Sequence, residues 1–411
     1  MDIFNDVLNS ARYNPKVRPL WNQTKTMYVV VRFQLLSIVE LDDVQQSFAC
    51  NGFLGLVWED EMLKWDKDKY GGQDELHPVP EDIWRPRVVI MNTLGDRDPF
   101  GDVIAPVFVY SNGSVSWVPG TLLTTSCKLD LTDYPFDQQN CTVQIVAMTL
   151  TTKELTFVAS TNKSSLNFFT SNSEWNYLDS SLTTSYISTG TRNLSSIDIT
   201  FFMKRRPMFL LINIILPVVF LSFLNLLVFV IPVESGEKIG YGITVLLALS
   251  VYMSIVSSLL PSSSLTTPKL TLYLFILLII SMLTVIDSII IVFLHNLEEK
   301  AVVHFKAQEN FKSAFSKVKN LQRAVTPATK MTRNTVNGKQ SLANFKEATS
   351  CSEEAPPYSS TDMSSNQDDN RETPRRNKYK MIGKHIDAIS FVVFFFIWIS
   401  VTLGFLFNIS F

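Results

Sequence analysis

Residues 127–141 read CKLDLTDYPFDQQNC, two cysteines closing a loop whose centre is the apolar triplet Tyr134, Pro135 and Phe136. A small loop that is stapled shut and still offers its most apolar residues at the tip needs an apolar partner, and the chain around it is rich in candidates. Of the 411 residues, 46% are hydrophobic, 29 of them Phe, which points to a membrane protein before any motif is read. Four apolar segments, 208–231, 239–260, 270–294 and 386–408, are each long enough to cross about 30 Å of hydrocarbon as a helix. All four lie in the second half. The first 200 residues instead alternate apolar and β-branched positions in short runs, such as MYVVVRFQLLSIVEL, CTVQIVAMTL and SIDITFFM, separated by Gly, Pro, Asn and Asp turns. The expected fold is multidomain: an all-β, immunoglobulin-like sandwich over 1–206, three membrane helices over 207–295, a cytoplasmic segment over 296–385 with helical ends and a disordered middle, and a fourth membrane helix over 386–411.

Sidedness is read from several weak signals that agree. The acceptor pattern Asn-X-Ser/Thr begins at Asn22, Asn112, Asn140, Asn162, Asn193 and Asn408, and nowhere between 295 and 385. The sandwich and both termini are therefore expected outside the cell, with the protein multi-pass in the plasma membrane. Segment 295–385 carries sixteen Lys/Arg against ten Asp/Glu, which suits the cytoplasmic side. Its middle, 326–371, is rich in Ser, Thr, Asn and Pro and reads as disordered. Over 296–325, Phe311, Phe315, Val318, Leu321 and Val325 recur at helical spacing among lysines, an amphipathic helix continuing inward. The start MDIFNDVLNSARYNP lacks the regions of a signal peptide and reads as a mature or engineered N-terminus. Cys127 and Cys141 pair naturally in an oxidising compartment, leaving Cys50 over and Cys351 inside. Closing a loop of this size is worth about 3 kcal/mol in the chain-entropy model.

Several function classes drop out. The formal net charge of −2 and the lack of a basic stripe interleaved with aromatics exclude nucleic-acid binding. No cofactor and no metal is implied, because neither His nor a second Cys pair stands near the loop at zinc spacing. No nucleophile stands near a base at recognisable spacing, so an enzyme is the weakest reading.

The loop, with Tyr-Pro-Phe-Asp among the thirteen residues between two cysteines, resembles the defining loop of the Cys-loop receptors. The resemblance covers nearly the whole chain: Trp58-Glu-Asp60, Trp84-Arg-Pro86, EWNYL around Trp175, MKRRP before the first span and Pro217 within it. Residues 235–249, SGEKIGYGITVLLAL, are similar to the pore helix of cation-conducting, nicotinic-type members. The resemblance implies a homo- or hetero-pentamer in the lipid bilayer around a pore for monovalent cations, opened by a small-molecule agonist at the sandwich. Rival readings are an accessory subunit, a channel answering to lipids, amphiphiles or protons, and a membrane-anchored binding module that never conducts.

In the second span, Glu237, Gly240, Thr244, Leu247, Val251, Ser254 and Ser258 recur at steps of three and four and share one helical face. Such a stripe either packs against neighbouring helices or lines water. Lining, which the resemblance implies, would make each position a ring: carboxylates of Glu237 with Glu234 beyond them, a narrow section at Gly240 and Thr244, and apolar gate rings at Leu247 and Val251. Lys238 is about 100° around the helix from Glu237. Ser258 stands where cation-conducting relatives often carry an acid.

The agonist positions implied by the resemblance are Phe53, Met91, Phe108, Ser116, Val118, Met148 and Tyr186. Phe53 and Tyr186 are expected as aromatic walls, with Phe108, Ser116 and Val118 on the neighbouring face and methionines where aromatics usually stand. Each could equally be sandwich core. The stretch YISTGTRNL over 186–194 has no vicinal cysteine pair, which speaks against acetylcholine, and Arg87 replaces a common acid. Of the four His, only His77 lies in the sandwich, so a histidine proton sensor is poorly supported. Coupling between sandwich and spans is expected at Asp43, with Asp42 beside it, at Arg205, at Pro268 in the linker PSSSLTTP of 261–268, and at Tyr134, Pro135 and Phe136, whose tip would meet the outer ends of the spans. Asp287, an acid inside the third span, is read equally as functional or tolerated.

Overall fold

Where the sequence alternates, the chain pairs into sheets. The structure, a computed structural model, describes residues 2–9, 12–97, 100, 104–260, 267–324 and 378–410. The expected disordered stretch 326–371, the linker residues 261–266, Val325 and Cys351 lie outside the described residues. A short helix α1 (Asp2–Val7) precedes eleven described strands: β1 (Met27–Asp42), β2 (Ser47–Glu59), β3 (Glu75–Leu76), β4 (Val88–Ile90), β5 (Val107–Tyr110), β6 (Ser114–Trp117), β7 (Gly120–Ser126), β8 (Gln138–Thr151), β9 (Leu155–Ala159), β10 (Trp175–Ser188) and β11 (Asn193–Arg205).

One sheet runs β3-β5-β6-β2-β1-β9 with β7 also on β2, and the other runs β10-β11-β8-β4. The hairpin of β1 and β2 sets Val29 opposite Trp58 and Asp42 opposite Ser47. Its turn is fixed by the Asp42 carboxylate, which accepts from the N–H groups of Val44 and Gln45, an Asx turn. Between the sheets Phe33 and Phe48 of the first meet Phe201 of the second at ring separations of 5.9 and 5.5 Å; each such side chain contributes about 1.5–3 kcal/mol on burial. The disulfide Cys127–Cys141 joins the residue following β7 to β8, so it ties one sheet to the other as well as closing the loop. The second motif aspartate, Asp60, is fully buried: it accepts from the Tyr13 hydroxyl at 2.8 Å and from the N–H groups of Met62 and Leu63. Burial nevertheless lifts its carboxyl to about 6.

Four helices are long and apolar enough to cross a membrane: Met208–Val230, Lys238–Ser258, Lys269–Leu297 and Ile382–Asn408. The first is not uniform. It comprises α2 (Met208–Leu210), a π turn over Leu211–Ile215, α3 (Leu216–Leu226) and a 3-10 turn over Leu227–Val230. The second is α4 (Lys238–Ser258). The third belongs to α5 (Lys269–Ala324), which runs without interruption through the boundary expected at 295 because neither Gly nor Pro occurs in it. The fourth is the outer part of α6 (Lys378–Ser410).

Two compact units result, Met1–Ser288 with Ser390–Phe411, and Ile289–Ile389. In the second, the described residues are all helical, and Phe311 of the amphipathic stretch is exposed. Within the first, the membrane helices are joined by polar side chains as well as apolar ones. Asn225, buried in α3, accepts from Ser281 at 3.1 Å and Thr284 at 3.2 Å, while Trp398 Nε1 donates to Ser222 Oγ at 2.8 Å. Tyr273 stacks on Phe405 with centroids 4.1 Å apart. Interhelical hydrogen bonds of this kind are worth about 0.6–2 kcal/mol each.

Candidate pore-lining face and the sandwich–membrane junction

Helix α4 sorts its residues by face. Lys238, Gly242, Val245, Leu249 and Val256 are buried, and the closest neighbours of Gly242 are Val228 and Val285, so this side packs on the first and third spans. All seven residues of the expected stripe, Glu237, Gly240, Thr244, Leu247, Val251, Ser254 and Ser258, lie on the opposite side and are exposed. Packing within the chain, among the described residues, therefore does not account for the stripe. Two of its three hydroxyls bond back to their own helix, Thr244 to the Gly240 carbonyl at 2.8 Å and Ser258 to that of Ile255 at 2.7 Å. Lys238, one residue from the exposed Glu237, is turned inward over the ring of Phe229. Asp287 keeps one carboxylate oxygen enclosed without a hydrogen bond.

At the outer end of the spans, Arg205 closes β11 and is only 7% exposed. Its guanidinium donates from Nε to Asp137 at 2.8 Å and from Nη2 to Asp43 at 2.7 Å and to Asp137 at 3.2 Å. It also lies over the rings of Trp175, at 4.3 Å, and Tyr134, at 4.9 Å. Burial alone would lower its pKa; the hydrogen bonds it donates to Asp137 and Asp43, with their negative charges, more than reverse this, and the group is held charged. Asp43, not Asp42, is the hairpin acid that pairs.

The three tip residues of the stapled loop are not equally exposed. Tyr134 and Pro135 are buried and Phe136 half-buried, the Tyr134–Pro135 peptide is cis, and the tyrosine ring faces Arg205. An arginine with two carboxylates to balance it suits that ring, because the ring face is electronegative. The tip shares one buried apolar cluster with the spans, in which Tyr134 is joined with Leu270 and Tyr273 and against which Phe136 packs, and the loop also meets the third span through polar groups. The Thr132 carbonyl accepts from the Lys269 N–H at 3.0 Å, and Asp133 pairs with Lys269 Nζ at 2.7 Å. Lys269 Nζ also donates to the Asn408 carbonyl of α6 at 3.0 Å. Pro268, just before Lys269, is half-buried and its carbonyl accepts from Thr271.

The agonist positions divide between the sheets. Met148 lies on β8, Tyr186 on β10 and Met91 just after β4, all in the four-stranded sheet and all exposed. Phe53 lies on β2 with Phe108 on β5, Ser116 on β6 and Val118 just after it. The pairing of Phe53 with Tyr186 as walls of one face is thereby corrected: strand membership puts Phe53 with Phe108, whose partner in the ladder is Ser116. Phe108 makes an edge contact with His77. Ser116 is buried and its hydroxyl has no hydrogen-bond partner, so within one subunit it belongs to the enclosed part of the sheet. A shallow cavity of about 360 Å³ lies elsewhere, lined by Tyr28, Val30, Val57, Trp58, Glu59, Asn112 and Ser114.

Comparison with known proteins decides the family. Residues 1–207 match the model of the neurotransmitter-gated ion-channel ligand binding domain, and residues 214–380 that of the neurotransmitter-gated ion-channel transmembrane region. The chain belongs to the neurotransmitter-gated ion-channel family. Among individual relatives of this family, the neuronal acetylcholine receptor subunit alpha-6 of Homo sapiens is 32% identical over 69% of this chain. The acetylcholine receptor subunit beta-like 1 of Drosophila melanogaster is 31% identical over 68%, and the neuronal acetylcholine receptor subunit beta-4 of Bos taurus 30% identical over 72%. The chain spans 58%, 54% and 59% of the length of these three relatives. This family consists of ligand-gated ion channels, not enzymes.

In this member of the family, Asn22, Asn112, Asn140, Asn162 and Asn193 are all exposed, as glycan acceptors must be. Sequence reasoning missed Asp137 and Trp175 as partners of Arg205, and Asp133 and Lys269 as the loop's contact with the third span. Asp137 directly follows the Tyr-Pro-Phe triplet, and attention to the apolar tip hid the charge beside it. Lys269 could have been noticed as a cation opening an otherwise apolar span.

Proposed function

We propose that this chain is a subunit of a cation-selective, ligand-gated channel of the plasma membrane, assembled as a pentamer with the sandwich and both termini outside. The observation that carries the reading is the exposed stripe on α4, with Glu237 at its inner end and Leu247 and Val251 near its middle. Placed around a five-fold axis, the stripe becomes a set of rings: carboxylates that concentrate cations at the mouth, and apolar rings that empty of water when narrow. The ligand pocket is proposed where the four-stranded sheet of one subunit, with Met91, Met148 and Tyr186, faces Phe53, Phe108, Ser116 and Val118 of the next. Motion there would reach the pore helices through the Arg205 cluster and through Lys269.

The test is ion substitution on channels expressed in oocytes. Replacing external sodium by a large organic cation should move the reversal potential negative, and replacing Glu237 by Ala with a Pro inserted before it should weaken or reverse that shift. A reversal potential of the unaltered channel that follows chloride would overturn the reading. A second reading, a subunit that supplies only one half of a binding site, is favoured by the methionines at 91 and 148, which offer an adaptable wall without a fixed quadrupole. It predicts silence when the chain is expressed alone and current when a partner subunit is present.

A further inference from the structure

Two features of the membrane domain coincide. The first span breaks its α-helical ladder twice, in the π turn Leu211–Ile215 ahead of Pro217 and in the 3-10 turn Leu227–Val230. Pro217 has no N–H, so the Asn213 carbonyl four residues earlier is denied its usual donor. The Tyr252 hydroxyl of α4 reaches this break, 2.9 Å from the Asn213 carbonyl and 3.0 Å from that of Ile214. At the other break, where the Leu227 N–H tightens onto Leu224 three residues back, the Tyr241 hydroxyl of α4 donates to the Leu224 carbonyl at 2.8 Å. Tyr241 and Tyr252 are eleven residues apart, which on an α-helix is three turns with about 20° of drift, so both project from one side of α4. These hydroxyls fasten α4 to the first span at the two places where the backbone ladder of that span is irregular.

We propose that Tyr241 and Tyr252 are positioning residues for gating: a two-point latch that ties α4 to the first span in one gating state and is broken in the other. The first span continues directly from β11 and Arg205, so the latch gives the sandwich a route to the pore helix that does not pass through the stapled loop. This inference rests on the channel reading above, with Leu247 as an apolar gate ring. A phenylalanine in place of either tyrosine keeps the ring packing and removes only the hydroxyl. Because the latch is made in only one of the two states, loss of a hydrogen bond of ordinary net strength shifts the closed–open equilibrium about fivefold.

The experiment has two arms on the full chain. In the first, hydrogen–deuterium exchange of the protein purified in detergent should show amides over 208–230 exchanging several-fold faster in Tyr252→Phe and Tyr241→Phe. Unchanged exchange overturns the latch. In the second, spontaneous cation current is recorded from Leu247→Thr channels, whose wetted ring should open without any ligand, with and without Tyr252→Phe. The expected result is an open fraction altered about fivefold at constant unitary conductance. That effect should shrink when Pro217→Ala restores a backbone donor for Asn213. Faster exchange with an unchanged open fraction, or an undiminished effect alongside Pro217→Ala, overturns the gating role. Silence of Leu247→Thr channels at the cell surface, both alone and with a partner subunit present, would refute the channel reading itself, while the exchange arm still decides whether the latch exists.

Discussion

Replacing Asp137 by Asn should be among the most damaging single changes in the sandwich, and the structure says by how much. The Asp137 side chain is 1% exposed, Arg205 7% and Asp43 14%. Asp137 takes two of the three hydrogen bonds from the guanidinium, and its second oxygen also accepts from Gln139 Nε2 at 2.6 Å. An asparagine would turn an NH₂ group toward one set of these donors and would leave the buried cation with Asp43 alone. Removing one partner of a buried pair costs about 3–5 kcal/mol, and for a domain of this size each kcal/mol lowers the melting temperature by about 2–4 °C. The first thermal transition of the detergent-purified protein, followed by tryptophan fluorescence, should therefore fall by roughly 6–20 °C. Asp43→Asn should cost less, about 1–3 kcal/mol, since it removes one hydrogen bond to a charge and lies nearer to solvent. Because Asp137 and Arg205 act on each other, Asp137→Asn combined with Arg205→Gln should be milder than the sum of the two by at least about 2 kcal/mol. A transition within 2 °C of the unaltered protein for Asp137→Asn, roughly the effect of a neutral surface change, or simple additivity in the pair, would refute this account.

Three other outcomes are expected. Burial holds the Asp60 carboxyl at about 6 against about 4 in an unfolded chain, so the folded state binds the extra proton between those values and stability falls by about 3 kcal/mol as pH rises through that window; Asp60→Asn should remove this slope from melting curves at pH 4 to 7, and parallel curves would count against it. Replacing both Cys127 and Cys141 by Ala opens a link of sequence separation 14 and should cost about 3 kcal/mol, read as a lower melting temperature that reducing agent reproduces in the unaltered protein but does not deepen in the variant. Lys269→Gln breaks a partly exposed pair worth at most about 1 kcal/mol, so surface delivery measured with an antibody should hold while the ligand concentration for half-maximal current rises; an unchanged response would remove Lys269 from the coupling route.

The sandwich and the spans were legible because each rests on a period: two in MYVVVRF, unbroken hydrophobicity in the membrane segments, and steps of three and four along the α4 stripe. The continuity of α5 was also on the page, as the lack of any Gly or Pro between Lys269 and Ala324. What periodicity does not carry is the partner of a buried charge. Asp137 and Asp43 are ninety-four positions apart in the chain and meet only because β11 ends between the loop and the hairpin turn. The same limit explains Phe53, whose residue type suits either face of a pocket and whose sheet membership alone assigns it. It explains Tyr241 and Tyr252 as well: in sequence they are two more bulky residues in an apolar helix, and their hydroxyls gain meaning only beside a broken backbone ladder.

The hydroxyls of the α4 stripe bear on how such a subunit survives before it has neighbours. A newly inserted chain has no water-filled lumen, and its bare face looks into lipid tails. There Thr244 and Ser258 do not present unsatisfied donors, because each is returned to a carbonyl of its own helix, a local bond that uses a hydroxyl's one hydrogen, whereas an amide would keep a second N–H to satisfy. Once a lumen forms, a turn about one side-chain bond releases the same groups to water and passing ions. Choosing Ser and Thr over Asn or Gln along this face thus lets one surface tolerate two solvents in succession, and gives an unassembled subunit time in the membrane to find its partners.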